Sequence, residues 1–80
     1  MHMIQFLQKI ATRTAFKSPG TSQADLAAFQ PIVYMALRAE RLGYIEGVVT
    51  HKETHTGRFL YSTLAVRRIT MAGRDALIEM

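Results

Sequence analysis

Apolar residues recur along the first part of the chain at helical spacing. Met3, Phe6, Leu7, Ile10 and Ala11 fall at intervals of three and one, with Gln5, Gln8, Lys9 and Arg13 on the other side. One apolar stripe on an otherwise polar segment predicts an amphipathic helix over residues 2 to 16. Lys17-Ser18-Pro19-Gly20-Thr21 then breaks the pattern, because proline and glycine together mark a turn. Ser22 followed three residues later by Asp25 has the spacing of a capping box with Asp in the acidic position. Leu26, Ala27 and Phe29 supply the apolar face of the two-turn helix it would open. Pro31 interrupts that run, and since proline is tolerated in the first turn of a helix, it reads as the start of a third helix reaching Leu42.

On a helical wheel the third segment divides sharply. Ile32, Met35, Ala36, Ala39 and Leu42 share one side, while Tyr34, Arg38 and Arg41 lie together on the opposite one. Gly43 occupies the position where a helix favours a left-handed residue, so the helix is expected to stop there.

Beyond Gly43 the period changes from helical to alternating. Residues 44 to 50 and 64 to 70 read as strands, and between them Gly57 is the residue that can turn the chain back at little cost. With the turn at Gly57, Ile45 lies opposite Ile69, Val48 opposite Val66 and Glu46 opposite Arg68. Apolar meets apolar and acid meets base, each pair contributing about 0.2 to 1 kcal/mol, and a one-residue slip loses all three. Residues 51 to 63 then form the outer portion of one long hairpin. Thr70 is placed to cap a last short helix carrying Ala72, Ala76 and Leu77.

Eighty residues make a single domain. A chain this short buries only about 60 to 65% of the surface its unfolded form exposes. With no cysteine there is no disulfide and no thiolate chemistry. Charged residues interrupt every apolar stretch well short of the ~20 residues that span a bilayer, and the N-terminal segment lacks the pattern of a signal peptide. These features predict a soluble, cytoplasmic protein. Ten Lys and Arg against six Asp and Glu give a formal charge of +4, a balance that favours anionic partners or simply solubility.

Catalytic motifs are absent from the sequence: there is no glycine-rich phosphate loop, no nucleophile elbow and no evident carboxylate pair, so a non-enzymatic role without cofactor is expected. His51, Glu53 and His55 share a face of an extended strand, but two-residue steps of about 6.5 to 7 Å are awkward for ligands of one metal ion. Arg38, Arg41 and Tyr34 have the chemistry to meet a phosphate or a base edge, as an alternative to forming an ordinary solvated face. Gln30 is the nearest further polar candidate for a base edge. Lys52 and Arg58 flank the hairpin turn, where they either grip a backbone or decorate an exposed loop. Phe59, Leu60 and Tyr61 follow, three bulky residues beyond the expected domain body that suggest packing on something, such as a second copy of the chain.

The whole chain resembles a winged helix-turn-helix domain of the small prokaryotic or phage type. The segments that carry the resemblance are Ala39-Glu40-Arg41-Leu42-Gly43-Tyr44-Ile45-Glu46-Gly47, like the end of a recognition helix entering its wing, and Ile69-Thr70-Met71-Ala72-Gly73-Arg74-Asp75-Ala76-Leu77, like the exit from wing to helix. The resemblance implies an α+β fold of three N-terminal helices, a long two-stranded wing and a short C-terminal helix. It further implies binding of double-stranded DNA, in transcription regulation or an accessory role, through Gln30, Tyr34, Arg38, Arg41, Lys52 and Arg58. Lys9, Lys17 and Arg67 would assist if they share that side. Winged helices also serve as protein-interaction modules, and in that alternative Ile32, Val33, Tyr34 and the wing segment Phe59, Leu60 and Tyr61 dock onto a partner or a homodimer mate, with the terminal helices as other candidate dimer surfaces.

Overall fold

The computed structural model describes every residue except Met1, Thr56, Glu79 and Met80, and of His55 the backbone alone. The chain runs α1 (Met3–Thr12), β1 (Ala15–Lys17), α2 (Gln23–Arg41), β2 (Ile45–His55), β3 (Arg58–Ile69) and α3 (Met71–Ile78). This is an α+β arrangement of three helices and an antiparallel sheet ordered β1-β3-β2.

The apolar stripe of α1 is realised: Phe6, Leu7 and Ile10 are buried. Its N-terminus is tied by the His2 N–H donating to Gln5 Oε1 at 3.0 Å. The helix stops at Thr12 rather than continuing to residue 16, because Arg13 turns to extended backbone at φ −161°. Ala11 is exposed. Phe16 belongs instead to β1, which sets Ala15 against Ala65, Phe16 against Leu64 and Lys17 against Thr63. Bonds from Val66 N–H to Thr14 O and from Ser18 N–H to Ser62 O, both 2.8 Å, extend this ladder. The sheet therefore has three strands, and the hairpin is not a free two-stranded wing.

A larger departure concerns the middle of the chain. Ser22 caps as expected, its hydroxyl oxygen accepting from Asp25 N–H at 3.1 Å, but the helix it opens does not end near Gln30. It runs through Pro31 for 19 residues. Where three N-terminal helices were expected there are two, without a helix-turn-helix. Proline inside a helix removes one intrahelical donor and costs about 3 kcal/mol. Pro31 and the residue it deprives, Ala27, both lie on the exposed side, where water can replace the missing donor. Against that cost, Leu26, Phe29, Val33, Ala36 and Ala39 form a buried stripe spanning both sides of the proline. Burying each large member contributes about 1.5 to 3 kcal/mol, which outweighs the local penalty. The stripe also shifts the expected wheel: Val33 is fully buried and Leu42 is 51% exposed.

The C-terminus of α2 closes as the sequence predicts. Gly43 has φ +82°, with Gly43 N–H bonded to Glu40 O at 3.0 Å and Tyr44 N–H to Ala39 O at 2.9 Å. This pair of bonds is the Schellman ending, and it releases the chain into β2.

The hairpin register agrees with the sequence at its base: Ile45 opposes Ile69, Glu46 opposes Arg68 and Val48 opposes Val66. Glu46 and Arg68 form an ion pair. Between His51 and Lys52 the pairing shifts, so that Lys52 faces Tyr61 and, at the far end, His55 faces Arg58. Gly57 has φ +79° at this apex. The irregularity absorbs one residue of β3 near Ser62 and turns Tyr61 toward the α2 side of the sheet.

Helix α2 lies along one face of the sheet, antiparallel to β2, with Glu40 meeting Val48 and Gln30 meeting Tyr61. The core between the layers joins Phe6, Leu7 and Ile10 of α1, Phe29, Val33, Ala36 and Ala39 of α2, and Ile45, Leu64 and Val66 of the sheet. Thr70 caps α3, accepting from Gly73 N–H at 3.1 Å and donating to Gly43 O at 2.5 Å. Ala76 and Leu77 pack against the core. Among the described residues no helix is long and apolar enough to cross a membrane.

Candidate nucleic-acid interface

Gln30 is not part of an outward face. Only 8% of it is exposed. Its Nε2 donates to Leu26 O at 2.7 Å and to Tyr61 O at 2.9 Å, and its Oε1 accepts from Tyr61 N–H at 3.0 Å. Tyr61 lies two residues past Thr63, the last residue of β3 that β1 reaches. A side-chain amide presents one donor and one acceptor like a peptide group, so Gln30 continues the ladder where β1 ends. Both N–H donors are taken, the oxygen is turned to the Tyr61 backbone and the side chain is buried, so the residue leaves the DNA-contact set.

Tyr34, Arg38 and Arg41 are all exposed on α2, at successive turns of the helix. Lys52 joins them through an aromatic bridge. Its Nζ lies 5.0 Å from the centroid of the Tyr61 ring, and Tyr61 meets Tyr34 edge to face with centroids 6.2 Å apart. A cation held over a ring face gains about 0.5 to 1 kcal/mol at exposed sites, enough to bias the flexible lysine toward α2. Phe59, two residues from Tyr61 and opposite Thr54, shares its side of the ribbon and is 71% exposed.

Arg58 is exposed beside the apex, and alternation places it across the ribbon from Phe59. Lys17 and Arg67 are on the other sheet face, with Val49, Ala65 and His51, so they do not extend the α2 surface. Lys9 is exposed on α1. The side chain of His55 lies outside the described residues, and with it the geometry of His51, Glu53 and His55.

Carboxylates do not neutralise the α2 surface. Among the described residues the ion pair is Arg68 with Glu46 at the hairpin base. Glu40 is turned toward the sheet, its Oε2 accepting from Val48 N–H at 3.1 Å on the free edge of β2. That contact turns the carboxylate away from the exposed face of Arg38 and Arg41, and it blunts an edge strand.

The structure thus brings Tyr34 and Lys52 together, keeps Arg38 and Arg41 on the same exposed helix, places Arg58 at the far tip, and withdraws Gln30. The residue that unites the cluster is Tyr61, which sequence reasoning had set aside as docking bulk. Pairing His55 with Arg58 would have signalled it, since that register puts Lys52 opposite Tyr61. No protein-family model, curated protein or solved structure matches this chain.

Proposed function

We propose that the protein is a non-enzymatic binder of duplex DNA, acting as a regulator or accessory factor, with Arg38 and Arg41 on phosphates, Tyr34 beside them, and Lys52 extending the grip onto the hairpin, while Arg58, on the opposite face of the ribbon, stands outside this surface. The observation that carries this reading is the cationic stripe of α2, without carboxylate ion-pair partners among the described residues and continuous with Lys52 through Tyr61. From Tyr34 to Arg41 the helix advances about 10 Å, the length of roughly three nucleotide steps along one strand. In this proposal the module is winged-helix-like, with a single helix standing where that fold has two.

The three cations of this surface, Arg38, Arg41 and Lys52, predict a log-log salt slope near roughly −3, at about 0.9 per phosphate neutralised. Fluorescence anisotropy of a random-sequence duplex at several salt concentrations measures it. Exchanging Arg38 and Arg41 together for Ala is expected to weaken binding at least tenfold at low salt and to flatten the slope by about 2. Unchanged affinity in a folded double variant would refute the assignment of α2. A second reading, docking onto protein or a second copy, is favoured by the exposure of Phe59; Val33 cannot serve it, being fully buried. It predicts concentration-dependent oligomers in sedimentation and negligible DNA affinity at moderate salt.

A further inference from the structure

The ring of Phe59 is not needed to hold a duplex backbone, and of Tyr34 only the hydroxyl is. Phe59 is 71% and Tyr34 58% exposed, on either side of Tyr61. Along the strand Phe59 and Tyr61 are separated by about 6.5 to 7 Å on one face. Tyr61 is braced: Gln30 fixes its backbone from both its N–H and its carbonyl, Tyr34 meets its ring, and Lys52 stands over it. Exposed rings on a braced support, interleaved with Lys52 and followed by Arg38 and Arg41 one and two turns along α2 from Tyr34, form a surface on which unpaired bases can stack near the hairpin while phosphates meet the ammonium and the guanidinium groups further along the helix.

The charge around the rings selects the occupant. Glu53, next to Lys52, points to the opposite sheet face by alternation and lies among Lys17, Ser18 and Thr63. Glu40 is held by Val48. A purely apolar partner would leave Lys52 without a counter-charge, whereas a single strand supplies both a π-face and an anion at each nucleotide. We propose that Phe59 and Tyr34 form a base-stacking platform for unpaired nucleotides next to a duplex, so that the preferred ligand is a junction between double-stranded and single-stranded DNA. This rests on the duplex-binding reading above and sharpens it.

The test compares three fluorescein-labelled probes in anisotropy titrations at moderate salt: a blunt random-sequence duplex, the same duplex with a single-stranded arm of about ten nucleotides, and the arm alone. Base–aromatic stacking of one base corresponds to about five-fold to about a hundred-fold in affinity. The tailed duplex is expected to bind at least about five-fold tighter than the blunt one. Phe59→Leu, which keeps apolar bulk without a π-system, is expected to abolish that preference while leaving blunt-duplex affinity unchanged, and Phe59→Tyr to retain it. A 2-aminopurine in the arm beside the junction should change fluorescence on binding of the wild-type protein and not of Phe59→Leu. Equal affinity for blunt and tailed duplex, or a preference that survives in Phe59→Leu, would overturn the platform and leave duplex binding standing. Loss of affinity for every probe in the Arg38 and Arg41 double variant, with the tail preference intact in the wild type, supports both. Absence of binding to any probe would overturn both, and self-association lost in Phe59→Leu would then assign the rings to a second copy.

Discussion

Replacing Gln30 by Ala removes the side chain that completes β3 and leaves the N–H and carbonyl of half-buried Tyr61 without the partners that now lie at 3.0 and 2.9 Å. The third bond, to Leu26 O, matters less, since a helix carbonyl retains its backbone donor. An orphaned buried donor or acceptor costs about 1 to 3 kcal/mol, so two partly screened groups predict a loss of about 2 to 4 kcal/mol. An 80-residue domain has about 4 to 12 kcal/mol in total, which makes this a large fraction. With a urea m-value near 1 kcal/mol/M, the unfolding midpoint falls by about 2 to 4 M. Equilibrium urea denaturation followed by far-ultraviolet circular dichroism reads it directly, and the chain's lack of tryptophan makes that probe preferable. Gln30→Glu sharpens the test. A carboxylate there still accepts from Tyr61 N–H but faces the carbonyl oxygens of Leu26 and Tyr61, which favours its protonated form in the folded protein and raises its pKa above the unfolded value of about 4.3. Stability is then greatest below that unfolded value and is lost as pH rises through the folded one, so the variant should be more stable at pH 4 than at pH 7 relative to the parent. A Gln30→Ala loss below about 0.5 kcal/mol, or a Glu variant insensitive to pH, would refute the placement of this amide.

Pro31→Ala restores the donor missing from α2 and should stabilise the protein by about 1 to 3 kcal/mol if the helix is continuous, whereas a helix-turn-helix with its break at Pro31 predicts no gain; thermal unfolding decides between them. Gly73→Ala should destabilise despite the better helix propensity of alanine, because a Cβ there would collide with the Tyr44 carbonyl oxygen and the Ile69 side chain. A raised melting temperature for that variant would show that α3 does not approach Tyr44 and the end of β3 as closely as described.

Much of this architecture is written in short-range pattern. The 3.6-residue spacing of Phe6, Leu7 and Ile10, the Ser22 and Thr70 caps and the Gly43 stop each depend on residues within one element or one turn of each other, and the register at the base of the hairpin follows from matching two patterned strands about one turn, so the sequence alone determined them. The exposed stripe of Tyr34, Arg38 and Arg41 belongs to the same class, since helical periodicity alone places the three on one face. Tertiary structure decided the rest. Three residues at Ala15 carry too little pattern to announce a strand and become one because β3 offers an open flank. Pro31 reads locally as a helix start, and only the apolar stripe buried on both sides of it makes one helix of two. Gln30 looked like a base reader because its partner, the Tyr61 backbone, is 31 residues away. A polar side chain declares its role through the group it satisfies, and which group that is depends on the sheet being assembled.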